Sequence, residues 1–352
     1  MGIDEVIYEK EVMVGNGDWT LSKPHIKKAL KNWEKYNEKI NFFHVGTESE
    51  REEMHQYLKI PYEKIKIIPL GVDHDFFKPS IDKDLTRKQV LSELKIPYEK
   101  YFFHVSEMNF ARKNQIRLAE AYQMARESGL KHNLIIAGKH LPQIKKKIGH
   151  LPGIFFLDWV THEQLLQLYQ GADAFVLPSI HEGFGIPLVE SMCCGVPCIS
   201  TNKHSPPHLI QDAGILVNPR DVSEITDSMV NIVKDPKLLK QLSEKSLKRS
   251  EYFSWKKYAK QVFELYDIDY TKKMTDFDTQ YELAAYRTLV TVCDTFPDKE
   301  HPLLFSLLKL DYTKLLEWAA DYGLHDSKTK DFLIPFESWI YKKLGRSIVR
   351  ET

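Results

Sequence analysis

Two glutamates eight positions apart, Glu182 and Glu190, flank a glycine-rich turn in the middle of the chain. Between them stand Gly183 and Gly185, whose missing side chains let the backbone approach a ligand closely. Two carboxylates placed in this way can accept hydrogen bonds from separate sets of sugar hydroxyls. The segment therefore predicts a site for a polyhydroxylated ligand.

The same turn leads into a predicted helix that suits an anion. Pro187 is well placed as the first helical residue, which would leave the amides of Leu188 and Val189 free at the helix N-terminus. Such amides and the helix dipole favour an anionic group such as a diphosphate. A basic turn, Arg112-Lys113, supplies further positive charge elsewhere in the sequence, although an exposed basic turn is the alternative.

The elements that must position these residues are short apolar runs alternating with amphipathic helices, which predict βαβ units and a mostly parallel sheet. The predicted strands are 40–45, 65–69, 101–105, 133–137, 154–157, 174–177, 196–200 and 215–217. The predicted helices are 27–39, 49–58, 115–128, one beginning at Thr161, 223–233, 236–248, 255–266, 281–294, 303–322 and 331–344. The charged stretch 80–88 is expected to be a linker. Since Glu182 follows strand 174–177, the turn lies at the carboxyl edge of the sheet, where ligands bind in open α/β folds.

The ordered set of motifs resembles the retaining family 4 glycosyltransferases of the GT-B fold. Glu182 and Glu190 resemble the family's E-x7-E signature, and the Gly195-Val196-Pro197 turn that follows fits as well. Further similarities are Gly71-Val72-Asp73 at the crossing between domains, Phe103 to Ser106 with Arg112 to Asn114 at the phosphate-binding loop, and Phe253-Ser254-Trp255 near the end. The resemblance covers roughly residues 40–268.

The resemblance implies a role for each site residue. Glu190 would bind the ribose hydroxyls of a nucleotide and Glu182 the transferred sugar. Backbone of Gly183, Phe184 and Gly185 would line the sugar and phosphate, with Leu188, Val189 and Ser106 completing the donor site. Arg112 and Lys113 would neutralise the departing diphosphate, so that no metal and no other cofactor is required.

Two positions depart from the family pattern. Many members carry Arg directly after the strand glycine, whereas this chain has Ser106 and Glu107 there, and Arg112 beside Lys113 takes over the role. The second departure is at the front, where only about seventy residues precede Gly71 and no Gly-rich loop is found. The acceptor domain is accordingly expected to be strongly shortened.

The expected fold class is α/β, with a GT-B-like, Rossmann-type parallel sheet as the donor domain. Residues 1–79 would form a partial acceptor-side α/β domain and residues 80–250 the nucleotide-sugar-binding domain. Residues 251–352 would form a helical crossing segment and a helical extension, whose aromatic residues between 318 and 341 are expected in its core.

Composition narrows the classes of partner. The chain has 49 Lys plus Arg and 49 Asp plus Glu, and this balance argues against a nucleic-acid protein. Three of the four cysteines lie within residues 193–198, which is a poor disulfide framework and favours reduced thiols in the cytoplasm. No apolar run is long enough for a membrane span, so any membrane association would be peripheral.

Two alternative sites remain open in the sequence. Cys194 and Cys198 with His204 and His208 have spacings that a zinc site could use, although the cysteines are expected to pack around a buried turn. Lys145-Lys146-Lys147, with Lys139, could touch an anionic membrane, and a solvated helix face is the alternative.

The expected function is transfer of a sugar from a UDP- or GDP-linked donor to a hydroxyl of a glycan, lipid or protein, with retention of configuration. A second hypothesis is a donor-binding subunit or inactive homologue that needs a partner chain, or a second copy, to complete the acceptor site. A third is another GT-B chemistry, such as an epimerase or a phosphorylase. No lysine motif indicates the pyridoxal cofactor of a phosphorylase.

Overall fold

The computed structural model of the chain describes residues 40, 42–106, 111–138 and 142–265. The chain divides into two compact units, Met1–Leu265 and Tyr266–Thr352, and every described residue belongs to the first. The helices expected at 27–39 and between 281 and 344, with their aromatic residues, lie outside the described residues. Within the described part of the chain, each helix is too short or too polar to cross a lipid bilayer.

The first described element is a small βαβ unit. Strands β1 (Phe43–Val45) and β2 (Ile65–Ile67) pair in parallel and are joined by helix α1 (Glu48–Leu58). Thr47 caps α1 by accepting a hydrogen bond from the Glu50 amide, as expected for a threonine at this position. The apolar side of the unit forms its own small core.

The larger sheet has six parallel strands in the order β5-β4-β3-β6-β7-β8. These strands are β3 (Tyr101–Val105), β4 (Asn133–Ala137), β5 (Ile154–Leu157), β6 (Ala174–Leu177), β7 (Cys198–Thr201) and β8 (Gly214–Val217). Strands β3, β4 and β6 carry apolar side chains on both faces and are almost wholly buried, as is typical of a parallel sheet covered on both sides.

Helices cover both faces of this sheet. They are α2 (Lys83–Glu93), α3 (Gln115–Glu127), α4 (Pro142–Ile148), α5 (His162–Gly171), α6 (Ile186–Cys193), α7 (Pro206–Ile210), α8 (Val222–Lys234), α9 (Pro236–Ser250) and α10 (Trp255–Leu265). One core lies against α2, α5 and α6, and a second core lies against α3 and α8. The helix predicted to begin at Thr161 is α5, and a Thr161–Gln164 capping box begins it. The lysines of α4 lie on its exposed face, where Lys145 is 3.6 Å from Asp158.

The prediction of a linker over residues 80–88 is wrong. Asp82 accepts a hydrogen bond from the Leu85 amide and starts α2 within that stretch. Arg87 anchors this helix to the rest of the domain. Its buried guanidinium donates to the Gly171 carbonyl and pairs with Asp173, and both partners are distant in sequence. A charged residue that is buried through distant partners leaves no local signal of burial.

The strand order reverses between β3 and β6. From β3 the sheet grows through β4 and β5 on one side, whereas β6, β7 and β8 extend it on the other. A reversal of this kind opens a crevice at the carboxyl ends of the two central strands, where open α/β sheets bind ligands. The loops that follow β3 and β6 carry Arg112, Lys113 and Glu182.

The segment expected to cross between domains lies against the segment before α10. The Val72 amide donates to the Phe253 carbonyl at 3.3 Å, and His74 Nε2 donates to the same carbonyl at 2.7 Å. Gly71 is necessary here, because a Cβ at this position would lie 2.1 Å from the Trp255 amide nitrogen. The two motifs that carried the resemblance at either end of the described chain therefore meet in space.

Candidate functional site

Hydrogen bonds from the backbone and from one side chain join the loop after β3 to the loop after β6. The Ile180 amide donates to the Arg112 carbonyl at 2.7 Å, and the Asn114 side-chain amide donates to the Pro178 carbonyl at 2.9 Å. Asn114 adopts a left-handed conformation with φ of 58°, which asparagine tolerates better than most residues. The basic turn and the glycine-rich turn are therefore held together at the crevice.

The centre of this region is a buried ion pair between Lys113 and Glu182. Lys113 Nζ lies 2.7 Å from Glu182 Oε2 and 3.0 Å from Oε1, and both side chains are less than a tenth exposed. Arg112 approaches the same carboxylate at 3.8 Å and donates to the His181 carbonyl at 3.4 Å. The Ser179 hydroxyl donates to Glu182 Oε2 at 3.0 Å.

These contacts keep Glu182 ionised. Burial alone would raise its pKa, but the charges of Lys113 and Arg112 and the hydrogen bonds from Lys113 and Ser179 lower it further than burial raises it. The pKa of Glu182 therefore lies below the ordinary range. The structure brings together one carboxylate and two cations that the sequence predicts for one site.

The start of α6 differs from the prediction in two respects. The helix begins at Ile186, so Pro187 is its second residue rather than its first, and Gly185 precedes it with a left-handed φ of 99°. The expectation that the Leu188 amide is free is wrong, because it donates to the Gly185 carbonyl at 3.0 Å and closes the tight turn. Gly185 is required here, since φ in this range strains most other residues.

Phe184 belongs to the glycine-rich turn, and its side chain packs in the hydrophobic core. Its side chain is buried beside Phe253, with ring centroids 6.0 Å apart. A Cβ on Gly46, just after β1, would lie 2.2 Å from the Phe184 ring. The small βαβ unit thus packs directly on the glycine-rich turn, in which Gly183 is also buried.

Glu190 has different surroundings from Glu182. The Tyr169 hydroxyl donates to Glu190 Oε2 at 2.8 Å, and the glutamate is only partly buried. Burial raises its pKa, and the hydrogen bond from Tyr169 and the charge of His162 offset this only in part. The two glutamates therefore have pKa values shifted in opposite directions, which suits them to different partners.

Ser106 lies at the end of β3 within a buried polar cluster. His104 Nδ1 donates to the Val176 carbonyl at 2.8 Å, so in the neutral ring Nε2 accepts from the Ser106 hydroxyl, also at 2.8 Å. Gln115 donates to the same hydroxyl oxygen at 3.1 Å. The Ser106 hydroxyl is thus engaged with the protein in this structure, and its contact with a donor stays a prediction.

Sequence reasoning missed Ser179 and Tyr169 as partners of the two acids. Ser179 stands three positions before Glu182, so its place in the same turn was a signal that could have found it. Tyr169 gave no such signal, because it lies on the apolar face of α5 and is fully buried, with its ring 5.1 Å from that of Phe103.

The alternative prediction of a zinc site formed by Cys194 and Cys198 with His204 and His208 is wrong. Cys193, Cys194 and Cys198 are buried free thiols, and Cys198 Sγ lies 3.5 Å from the Leu188 carbonyl rather than near a histidine. Burial raises the pKa of Cys193 to about 11 and that of Cys198 to about 12, which keeps them protonated. His208, which the zinc reading also required, is exposed.

The parallel sheet and the site at its reversal define a doubly wound α/β ligand-binding domain. Residues 87–249 match the family model described as glycosyl transferases group 1. This part of the chain is therefore a group 1 glycosyltransferase domain, as the motif resemblance implied.

One relative among known proteins is the O-antigen chain mannosyltransferase B of Escherichia coli. It is 29% identical over 225 residues, which cover 62% of this chain and 58% of that protein. The chain thus matches little more than half of the length of this relative.

Solved structures confirm the fold. Sucrose-phosphate synthase from Thermosynechococcus elongatus superposes with a TM-score of 0.59 at 20% identity, covering 76% of this chain and 65% of that one. Anabaena HepE, in complex with UDP and glucose, also gives 0.59, at 19% identity over 70% of this chain and 69% of that one. The described part of the chain is an α/β structure of the GT-B type, as predicted.

Proposed function

We propose that this chain transfers a sugar from a nucleoside diphosphate sugar to an acceptor hydroxyl, with retention of anomeric configuration. The observation that carries this proposal is the cluster of Arg112, Lys113 and Glu182 at the reversal of a group 1 glycosyltransferase sheet. A donor of this kind presents a diphosphate and a sugar side by side, and the cluster offers cations and a carboxylate side by side.

Each charged group has a distinct proposed task. Arg112 and Lys113 bind the diphosphate and stabilise the charge that develops on it as the bond to the sugar breaks. Lys113 would then exchange part of its contact with Glu182 for phosphate oxygens, and the freed carboxylate oxygen would accept a hydrogen bond from a sugar hydroxyl. Glu190 accepts hydrogen bonds from the ribose.

The positive charge in this proposal comes from the protein. In the proposed complex, Arg112 and Lys113 supply the positive charge at the leaving group, so the transfer step itself takes no divalent metal and no organic cofactor. The reaction proceeds on one face of the sugar through an oxocarbenium-like state. We assign no covalent nucleophile.

Mannose is the first sugar to test, because one relative is a mannosyltransferase. UDP-linked sugars are the comparison, because one structural neighbour was solved with UDP. The acceptor would be a hydroxyl of a glycan, a lipid or a protein. The three buried free thiols support a cytoplasmic location, and association with a membrane would be at its surface.

The test separates donor binding from chemistry. UDP, GDP and ADP, followed by their sugars, are first screened for a rise in melting temperature. Transfer and donor hydrolysis are then compared in the wild type, Glu182→Gln and Lys113→Met. We expect Lys113→Met to lower kcat by about 10²-fold or more, since it removes a fixed cation from the leaving group. For Glu182→Gln we expect kcat to fall by at least about tenfold, because the variant removes the charged acceptor for a sugar hydroxyl.

Matched controls are Glu120→Gln and Lys131→Met, which change exposed residues at and beyond α3. Neither should alter the rate. Full activity of both site variants would reject the assignment of the site. A chain that binds the nucleotide but neither transfers nor hydrolyses the sugar would instead support a donor-binding subunit that needs a partner chain.

A further inference from the structure

Three potential metal ligands from three separate segments meet beside the proposed donor site. Glu53 lies on α1, His181 lies in the loop after β6, and His204 lies in the loop after β7. In the residues that the structure describes, this is the one group of three or more histidine, cysteine or acidic side chains close enough to hold a metal ion. Glu53 and His181 are buried and His204 is half-buried.

The ligand atoms of this triad already face one another. Glu53 Oε2 lies 3.4 Å from His181 Nε2, and Glu53 Oε1 lies 2.6 Å from His204 Nδ1. The two imidazole rings have centroids 4.2 Å apart, and all ligand atoms fall within 4.8 Å of one another. Each histidine thus directs one ring nitrogen towards the same carboxylate.

These separations are close to those of a zinc centre. With bonds of roughly 2.0–2.1 Å, neighbouring ligand atoms of a tetrahedral zinc ion lie about 3.3 Å apart. The distance of 3.4 Å from Glu53 Oε2 to His181 Nε2 is close to this value. The distance of 2.6 Å from the other oxygen, Oε1, to His204 Nδ1 is shorter, so the Glu53 and His204 side chains would have to move apart by less than about 1 Å to admit the ion. Two imidazoles and one carboxylate form a well-attested zinc set with a fourth position for water.

The surroundings hold the ligands in place. Ser49 donates to Glu53 Oε1 at 3.4 Å, one turn earlier on α1. The backbone of His204 adopts a left-handed φ of 58°, and conformations of this kind concentrate at ligand-binding positions. Next to the triad, the buried hydroxyls of Thr47 and Ser205 are 2.7 Å apart and also join the βαβ unit to the large domain.

Glu53 carries the negative charge that a cation would need. Its buried carboxylate lies 3.4 Å from His181 Nε2 and 2.6 Å from His204 Nδ1. A buried ionised carboxylate requires compensation by positive charge. Two protonated imidazoles or a divalent ion would provide it.

We propose that Glu53, His181 and His204 bind one zinc ion, with water in the fourth position. The ion fastens α1 to the loops after β6 and β7, and His181 directly precedes Glu182. Zinc therefore fixes the glycine-rich turn without touching the proposed diphosphate site. The inference concerns metal binding and does not depend on the proposed transfer reaction.

The test is direct metal binding by the full chain, prepared without an affinity tag and freed of metal with EDTA. Calorimetric titration with Zn²⁺ should give one equivalent per chain. Glu53→Gln and His204→Ala should each weaken binding at least tenfold, because each removes one of three protein ligands. His208→Ala is the matched control, since it removes an exposed histidine four positions away, and it should bind as the wild type does.

Two further measurements separate the alternatives. Co²⁺ bound at this site should show the visible bands of a tetrahedral ion without a thiolate charge-transfer band, whereas such a band would assign the metal to cysteine instead. Zn²⁺ should raise the melting temperature of the wild type but not that of His204→Ala, with circular dichroism showing that the metal-free variant is folded.

The absence of stoichiometric binding to the wild type would overturn the proposal. The triad would then be a hydrogen-bonded contact between α1 and the large domain. Equal weakening by His204→Ala and His208→Ala would overturn it as well.

Discussion

At the scale of single residues, the two glutamates differ in their hydrogen-bond partners and in the direction of their pKa shifts. Glu182 is ionised and bound by Lys113 and Ser179, whereas Glu190 is neighbour to a tyrosine hydroxyl and has a raised pKa. The sequence predicts both acids and the cationic pair, because the glycine-rich turn and the basic turn are local patterns. It could not predict that Lys113 pairs with Glu182, since 69 positions separate them.

Glu190→Gln tests the proposed ribose contact. Hydrogen bonds to a charged group contribute roughly 1.5–3 kcal/mol, so the nucleotide should bind at least about tenfold more weakly, as measured by calorimetry. Glu120→Gln on the exposed side of α3 is the control. Unchanged affinity in Glu190→Gln would remove the ribose role from this residue.

The raised pKa of Glu190 also gives binding a pH dependence. Because burial favours the protonated form, the carboxylate is lost at a higher pH than in an ordinary glutamate. Nucleotide affinity should therefore decrease as the pH is lowered through this raised pKa. The same decrease should be absent in Glu190→Gln, whose side chain does not titrate.

At the scale of elements, the strands and most helices follow from sequence because their apolar patterns are local. Strand β3 was predicted as Tyr101 to Val105 and α5 from its Thr161 cap, and both are found there. Helix α2 was missed because it is anchored by a buried charge. The contacts of Glu53 with His181 and His204 span 128 and 151 positions, so no local sequence pattern predicts them.

Asp173→Asn tests the anchoring of α2. Asp173 pairs with Arg87 and His132, and removing its charge leaves the buried guanidinium with the exposed Asp84 as its remaining ionic partner. Such a change costs roughly 3–5 kcal/mol of unfolding free energy, measured by urea denaturation at pH 7. Asp227→Asn on the exposed face of α8 should cost little. Equal stability of the two variants would contradict the anchoring role.

The lowered pKa of Asp173 also predicts how the free energy of unfolding depends on pH. Burial would raise the pKa of Asp173, but His132, Lys83 and Arg87 together lower it well below its ordinary value. The stabilisation is therefore complete above the unfolded pKa of about 3.9 and is lost as pH falls towards the folded value. The difference between wild type and Asp173→Asn should shrink in acid. A difference that stays constant from pH 7 to pH 3 would contradict this origin.

At the scale of the whole described unit, the contact of Gly71 with Trp255 joins the segment after β2 to the start of α10. Gly71→Ala places a methyl group where the Trp255 backbone lies, so the two segments must separate. Overpacking of this kind costs roughly 1–3 kcal/mol. We expect faster hydrogen exchange at the Val72 amide, which donates to the Phe253 carbonyl.

Gly129→Ala is the control for Gly71→Ala. Its new Cβ meets nothing within 4 Å, so the substitution strains the backbone at a φ of 92° without pushing any neighbouring segment aside. Exchange at Val72 should stay as in the wild type. Equal protection of Val72 in both variants would show that the Gly71 contact does not hold the two segments together.

The bidentate contact between Lys113 and Glu182 has a consequence for ligand choice. Before any ligand arrives, the lysine is already satisfied by an internal anion at 2.7 Å. An incoming molecule must compete with that carboxylate, and it can do so only by presenting more negative charge than the carboxylate supplies. The crevice would thereby disfavour neutral sugars and nucleosides and admit molecules that carry a multiply charged phosphate chain.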